Sequence, residues 1–227
     1  MTAPSLHDAV RRRAPDERPQ QIIDAALAVF DERGLAGARL DDIAQRAGIA
    51  KGTIYLYFPN KEELFREVIR HTLVDRLDAA RVELEAMGDD VSAPEQLRRY
   101  AEGWWAFLTT PAYQAVYRLV IGELHRFPDV AAFYAEEVVT RAHGLVRSII
   151  ERGIARGEFR AMDPGVASRM MGSMFVTQAL WVCKQQLFKA VAPLPPEQVR
   201  DQLFDFILRA LRPDAPAAPA ATGAPDA

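Results

Sequence analysis

The sequence predicts an all-α fold, and three observations support this prediction. Apolar residues recur at intervals of three and four along most of the chain, which is the spacing of one face of an α-helix. No stretch shows the alternation of apolar and polar residues that a half-buried strand requires. Prolines and glycines divide the chain into segments of helical length. With 227 residues, 49% of them hydrophobic, the chain is long enough for a small and a larger helical domain.

Composition limits the function as well as the fold. A net charge of −3 argues against a protein that coats nucleic acid without selecting a site, but it allows a locally basic face. The single cysteine, Cys183, cannot form an intrachain disulfide or a zinc site, so we expect a reducing, cytoplasmic location. No apolar run approaches the roughly 18 residues of a membrane span, and the N-terminus lacks the apolar core of a signal peptide. We therefore expect no membrane association.

The first helix is expected to start at Pro19. Residues 1–18 before it are polar and contain two prolines, which predicts a flexible arm. The arginine run at 11–13 either contacts DNA or serves only as a solubilising tail. The helix is expected to end at Gly34, and its apolar stripe consists of Ile22, Ile23, Ala26, Leu27 and Phe30. It completes a three-helix unit, because two short helices alone bury too little surface.

Residues 39–58 predict a helix-turn-helix. Leu40, Ile43 and Ala44 share one face of a short helix, Gly48 supplies the positive φ of a turn, and a second short helix follows over 51–58. Hydrogen-bond donors and one bare backbone position occupy the outer face of the second helix: Lys51, Gly52, Thr53, Tyr55 and Tyr57. Such a face suits contact with DNA phosphates and bases.

Further helices follow to the end of the chain. Asn60 is placed to cap a long helix over 61–86, with Glu63 three residues later, and this helix would be roughly 39 Å long at 1.5 Å per residue. Proline and glycine positions predict further helices over 94–108, 111–124, 129–156, 164–190 and 196–211. The tail at 213–227 is nearly all Pro, Ala, Gly and Asp and is expected to be disordered.

The motif and its surroundings resemble the tetracycline-repressor (TetR) family of transcription regulators. The residues that match are the segments 30–34, 42–44, 47–49, 51–55, 57–58 and 61–64 with their spacing. The resemblance is close over 19–70 and otherwise lies in the helical layout, although 118–138 also resembles the C-terminal region of one subgroup. It implies a DNA-binding domain at 19–70 and a helical ligand-binding and dimerisation domain at 71–212.

The resemblance also implies which residues contact DNA, with the second motif helix in the major groove. The implied contacts are Arg39, Lys51, Gly52, Thr53, Tyr55, Tyr57 and Lys61. Lys51, at the helix N-terminus, is favoured for base reading, whereas Thr53, Tyr57 and Lys61 are favoured for phosphates. For Tyr55, DNA contact and core packing remain equally open.

Three positions depart from what the resemblance implies. The family usually has Ser or Thr where Arg39 and Ala50 stand, so two helix caps are lost. Arg39 would instead reach a phosphate. Asp41 would repel a phosphate, so it is left out of the predicted site.

Large side chains at helical spacing are frequent after residue 100, which suggests an apolar ligand pocket. The alternative for each such residue is ordinary hydrophobic core. The residues assigned to the pocket, with Arg118 or Gln178 as its polar anchor, are Trp104, Phe107, Tyr117, Arg118, Met174, Gln178 and Trp181.

The last two predicted helices carry apolar stripes that suit a twofold dimer interface, although a monomeric core would also explain them. A twofold dimer presents two recognition helices to a palindromic site. The function we expect is that of a DNA-binding regulator, a repressor released from a palindromic operator by a small apolar or amphipathic effector. The alternative is a helical ligand-binding or interaction module that no longer reads DNA. We expect no enzyme activity, cofactor or metal, since no such motif is present.

Overall fold

We describe a computed structural model of the chain for residues 18–88, 90–187, 189–190 and 193–213. Every regular element within these residues is helical, which confirms the all-α prediction. Nearly all of the predicted arm at 1–18 and tail at 213–227 lies outside the described residues. The helices without a π turn are α1 (Arg18–Gly37), α2 (Leu40–Arg46), α3 (Lys51–Tyr57), α5 (Ala93–Leu108), α6 (Pro111–Glu123), α8 (Pro164–Cys183) and α9 (Pro196–Leu211). Within α1 the backbone leaves the helical conformation at Gly34, with φ 72° and ψ 163°, so the regular helix breaks at the predicted position and one short turn follows.

Two long helices each contain a π-helical turn. We call α4 the continuous run of Lys61–Ile69, the π turn Arg70–Val74, and Asp75–Met87. Likewise, α7 is the run of Pro128–Tyr134, the π turn Ala135–Thr140, and Arg141–Ala155; the 3₁₀ turn Leu124–Arg126 joins α6 to it. A π turn adds one residue to a helical turn and is often found at functional sites.

The first three helices and the start of α4 share a core. The rings of Phe30 and Phe65 meet edge to face at 5.3 Å, and Ile43 and Ile54 are fully buried beside them. Gly48 has the predicted positive φ, 67°. The N–H of the residue after Gly48 donates to the Ala44 carbonyl at 3.0 Å, which closes the end of α2 in a Schellman arrangement.

The helices after α4 form the larger part of the molecule, in which α7 packs on α8 and α5. The helix predicted over 164–190 is shorter than expected and ends at Cys183. Lys184 there has φ −112°, outside the helical range. The side-chain amide of Gln185 donates to the Leu194 carbonyl at 3.0 Å and draws the chain back, a tertiary contact with no local sequence signal. No helix among the described residues is both long and apolar enough to cross a membrane.

Candidate DNA-binding surface and ligand cavity

The buried side chain of Ile54 fixes the orientation of α3 on the three-helix unit. Because successive residues turn by about 100° around an α-helix, the direction opposite Ile54 lies between Gly52 and Leu56. A Cβ added at Gly52 would meet nothing within 4 Å, and Leu56 is 85% exposed. Lys51 and Tyr55 flank this outermost line on one side.

Thr53 and Tyr57 flank the line on the other side. Thr53 is half-buried, and Tyr57 is 40% exposed. The predicted contacts on α3 therefore share one solvent-facing surface. Leu56 belongs to the same surface but is absent from the set that the sequence predicts, although its position opposite Ile54 is visible from the helical period.

One carboxylate, that of Asp41 in α2, binds two of the predicted contacts. Lys51 Nζ lies 2.7 Å from Asp41 Oδ2, and the Tyr55 hydroxyl donates to Asp41 Oδ1 at 3.2 Å. The hydrogen bond from Lys51 lowers the pKa of Asp41 and raises the pKa of Lys51, so both groups stay charged at neutral pH. Any phosphate or base that binds Lys51 must compete with Asp41. The ring of Tyr55 is 47% exposed, which does not fit the core-packing alternative.

Lys61 occupies a structural position as well as a predicted phosphate-binding one. Its Nζ lies 2.8 Å from the carbonyl oxygen of Ala36 and 3.4 Å from that of Ala38. These carbonyls belong to the short turn that follows the break in α1 at Gly34, and a cation is favourable at the carbonyl end of a helical turn. The positive charge of Lys61 is unfavourable at the start of α4, where the helix dipole is also positive, but it is favourable beside these two carbonyls. Phosphate binding by Lys61 stays a prediction.

The helices that begin after Arg39 and Ala50 lack side-chain caps, as expected from the absence of Ser or Thr at these positions. Neither Arg39 at the start of α2 nor Ala50 at the start of α3 forms a side-chain cap. Arg39 is exposed, and its guanidinium makes no hydrogen bond or salt bridge among the described residues. Nearby Arg46 differs, since it pairs with Glu32 at 2.6 Å. Arg39 is therefore available to a phosphate.

A cavity of about 110 Å³ lies between α4, α5, α6, α7 and α8. Both π turns contribute to its wall, α4 through Leu73 and α7 through Val138 and Val139. Aromatic and small side chains form most of the remaining wall, including Tyr100, Trp104, Tyr113, Tyr134, His143, Ser168, Met171 and Phe175. The cavity is thus enclosed by the helix that begins in the DNA-binding unit and by four helices of the larger domain.

The structure does not bring the seven predicted pocket residues together. Only Trp104 lines the cavity. Phe107 lies behind it, with its ring centroid 5.3 Å from that of Trp104, and Tyr117 stacks on Tyr113 at 5.8 Å. These two rings support the cavity wall from outside.

The other four predicted pocket residues lie elsewhere. Met174, Gln178 and Trp181 line a separate groove between α8 and α9. Arg118 does not anchor a ligand in the cavity, because its guanidinium binds both carboxylate oxygens of Asp31 in α1, at 2.6 and 2.8 Å. The helical period places these side chains on a face but does not show which helix that face meets.

The cavity wall contains three tyrosines that the sequence analysis does not assign to the pocket. The hydroxyls of Tyr100, Tyr113 and Tyr134 form no hydrogen bond with any group in the described part of the chain. Burial raises the pKa of all three above the usual value, that of Tyr134 to about 12. They therefore remain protonated donors at neutral pH.

Comparison with known proteins identifies both parts of the chain. Residues 22–68 match the family model of bacterial regulatory proteins of the tetR family. Residues 95–212, about half of the chain, match that of the AefR-like transcriptional repressor C-terminal domain. The chain belongs to the TetR family. It is a DNA-binding, ligand-responsive transcription regulator.

Individual relatives agree with this TetR assignment. The chain is 29% identical to the fatty acid metabolism regulator protein of Bacillus subtilis over 78% of this chain and 90% of that one. It is 28% identical to the transcriptional repressor KstR2 of Mycolicibacterium smegmatis over 86% and 90%. The FadR structure from Bacillus halodurans has the same fold, with a TM-score of 0.71 at 24% identity, covering 88% of this chain and 98% of that one.

In this TetR regulator α6 links the cavity to the DNA-binding unit. Glu123, at the end of α6, accepts hydrogen bonds from the N–H groups of Leu35 and Ala36, at 2.9 and 2.8 Å. These residues follow Gly34, which has φ 72° and whose added Cβ would meet Glu123 Oε1 at 2.1 Å. We call the contact of Glu123 with residues 34–36 the α6 latch. It joins the helix that carries Tyr113 to the segment just before α2.

Proposed function

We propose that the protein is a cytoplasmic homodimer that represses transcription from a palindromic operator and leaves it when a small apolar or amphipathic molecule fills the cavity. The observation that carries the proposal is the shared wall of the cavity. A ligand there touches the π turn of α4, whose first residues belong to the core of the DNA-binding unit. Occupancy can therefore change the position of α3.

Two connections run from the cavity to the DNA-binding unit. Through α4, a displaced π turn changes the tilt of the first half of the helix, which carries Phe65 in the core beside α1. Through α6, a displaced Tyr113 moves the α6 latch. A ligand acts in this way only if it binds the DNA-free arrangement more tightly than the DNA-bound one, so the response is a shift in population.

The dimer is supported by the outer faces of α8 and α9. Met170 is 62% exposed, Phe206 is 61% exposed, and Val166 is 39% exposed. The groove containing Met174 and Trp181 lies on the same two helices. Such an apolar surface is costly in water and suits a twofold contact with a second copy.

DNA binding is best tested with the purified chain and DNA from upstream of its own gene. Fluorescence anisotropy over a salt series should give an affinity that falls steeply with salt, since phosphate neutralisation releases counterions. A Thr53→Ala, Tyr57→Ala double variant should weaken binding at every salt concentration without changing the salt slope, because neither side chain carries a charge. Val82→Ala, an exposed change on the second half of α4, should leave the affinity unchanged. Affinity that ignores both salt and the double substitution would contradict the proposal.

Selection of binding sites from a random DNA library tests the symmetry. We expect an inverted repeat. Light scattering should show a dimer that a Met170→Asp, Phe206→Asp variant converts to a folded monomer with much weaker DNA binding. A wild-type monomer that selects a single half-site would contradict the dimeric part of the proposal.

A further inference from the structure

The wall of the cavity carries hydrogen-bonding groups but very few groups that can be charged. Among the residues that line it there is no Lys, Arg, Asp or Glu, and His143 is the only ionisable side chain besides the three tyrosines. An enclosed charge without a partner is costly, because desolvation outweighs weak dipole contacts. A carboxylate or phosphate would find no guanidinium or ammonium among the lining side chains, although such groups are the usual partners of those anions in proteins. Arg76, whose charge acts on Tyr100, pairs with Glu83 at 3.2 Å instead. The wall therefore disfavours an anion.

A quaternary cation is also poorly served. Aromatic cages bind such cations on exposed ring faces. Here Tyr100 stacks on Trp104, with ring centroids 5.9 Å apart and an interplanar angle of 12°, so each of these rings has one face left for a ligand. Tyr113 in turn stacks on Tyr117 at 5.8 Å. The lining also holds no carboxylate that would balance the charge.

Size sets a second limit. The cavity of about 110 Å³ is smaller than an engineered apolar cavity of about 150 Å³ that holds benzene. It therefore accommodates about one ring, given small adjustments of the wall. A long acyl chain requires several times this space. The imidazole of His143 packs against the backbone of α8 at Gly172, where an added Cβ would lie 2.9 Å from His143 Cε1.

The polar groups in the cavity wall can form hydrogen bonds with a ligand. The three tyrosine hydroxyls and His143 can donate or accept hydrogen bonds, and the hydroxyls have no partner among the described residues. A site built to bind a hydroxyl or carbonyl discriminates strongly against a ligand that lacks it, because the buried polar groups are then left unpaired.

We infer that the effector is an uncharged, single-ring compound with a hydroxyl or carbonyl group that hydrogen-bonds Tyr100, Tyr113 or Tyr134. The inference rests on the proposed function of this cavity as the effector site. It assigns a chemical class to the effector and separates it from carboxylates, from phosphates, from long acyl chains and from cations.

Calorimetric titration of the full chain, without DNA, tests the inference with five probes. 4-Methylphenol is the neutral hydroxyl probe, and toluene has the same ring without the hydroxyl. 4-Methylbenzoate carries a negative charge, tetramethylammonium a positive charge, and decanoate a long acyl chain. We expect 4-methylphenol to bind about tenfold more tightly than toluene, as for one buried hydrogen bond, and more tightly than the three charged probes.

Single Tyr→Phe variants locate the hydrogen bond while conserving shape. At least one of Tyr100→Phe, Tyr113→Phe and Tyr134→Phe should lose the preference for 4-methylphenol over toluene. Tyr117→Phe is the matched control, since it stacks on Tyr113 but does not line the cavity, and it should keep the preference. Thermal unfolding of each variant shows that it is folded.

Three results would overturn the inference. The first is equal affinity for toluene and 4-methylphenol, the second is tighter binding of any charged probe, and the third is failure of all five to bind at millimolar concentration. The DNA-binding measurement is separate, because it needs no ligand. A chain that binds its operator but not 4-methylphenol contradicts only the ligand class, whereas one that binds 4-methylphenol but no DNA contradicts only the regulator.

Discussion

The DNA-binding surface and the cavity differ in how their polar groups are satisfied. On the DNA-binding surface, Asp41 binds Lys51 and Tyr55, and the carbonyls of Ala36 and Ala38 bind Lys61. In the cavity, the tyrosine hydroxyls have no partner among the described residues. Internal hydrogen bonds orient the polar side chains of the DNA-binding surface, whereas the tyrosine hydroxyls of the cavity are left to bond with a ligand.

This difference has a consequence for each binding event. DNA meets side chains that are already oriented, so little ordering entropy is lost, but each phosphate must compete with an internal carboxylate or carbonyl. A ligand in the cavity gains hydrogen bonds that the free protein lacks. Residues 34–38 lie between α1 and α2, and two groups hold this segment: Glu123 of the α6 latch accepts hydrogen bonds from its N–H groups, and Lys61 donates to its carbonyls.

The largest expected effect is at Gly34. Gly34→Ala should lower the free energy of unfolding by roughly 2–3 kcal/mol, because alanine is strained at positive φ and its Cβ displaces the Glu123 carboxylate from its hydrogen bonds. Gly52→Ala is the matched control, since it has open space in a helix and should not destabilise the fold. Denaturant titration measures both. Equal stability of the two variants would show that the α6 latch does not constrain residues 34–36.

The two lysines should separate into a structural and a DNA-binding role. Lys61→Met should lower stability by about 1 kcal/mol, since it removes a cation from the end of α1. Lys51→Met should leave stability almost unchanged but reduce the salt slope of DNA binding by about one counterion. The reverse pattern in unfolding and anisotropy experiments would mean that the internal contacts of Lys61 are incidental.

Removing the internal competitor on the DNA-binding surface should strengthen binding. Asp41→Asn should raise DNA affinity by roughly three- to tenfold at low salt, because it frees the Lys51 ammonium and removes a negative charge beside phosphates. Asp42→Asn is the control, since Asp42 pairs with Arg33 instead. A loss of affinity in Asp41→Asn would show that the carboxylate acts chiefly by orienting Lys51 and Tyr55.

The smallest expected effect concerns Leu56. Its side chain is 85% exposed on the face of α3 opposite Ile54, so with α3 in the major groove we expect it to contact thymine methyl groups. Leu56→Ala should cost about 0.8 kcal/mol, or roughly fourfold in affinity, for each thymine methyl group that the shorter side chain no longer covers. Operators in which uracil replaces thymine provide the comparison. An equal loss of affinity for both operators would show that Leu56 fits the groove without contacting the thymine methyl groups.

The parts that the sequence predicts well depend on local structure. Gly48 and Asn60 act within one turn of their own positions, so the helix-turn-helix and the start of α4 follow from spacing. The cavity could not be predicted in the same way, because five helices meet there. The π turn at Ala135–Thr140 also adds a residue, so a regular helical period no longer gives the correct inward face of α7.

Coupling between the cavity and α3 is the central claim, and it can be tested without any ligand. Ala142 lines the cavity, so Ala142→Leu partly fills it, whereas Ala106→Leu adds the same volume at an exposed position on α5. Operator affinity of both variants should be measured by anisotropy after their folding is verified. We expect Ala142→Leu alone to lower operator affinity, by about tenfold or more, as for a modest allosteric coupling. A folded Ala142→Leu variant with wild-type affinity would contradict the coupling.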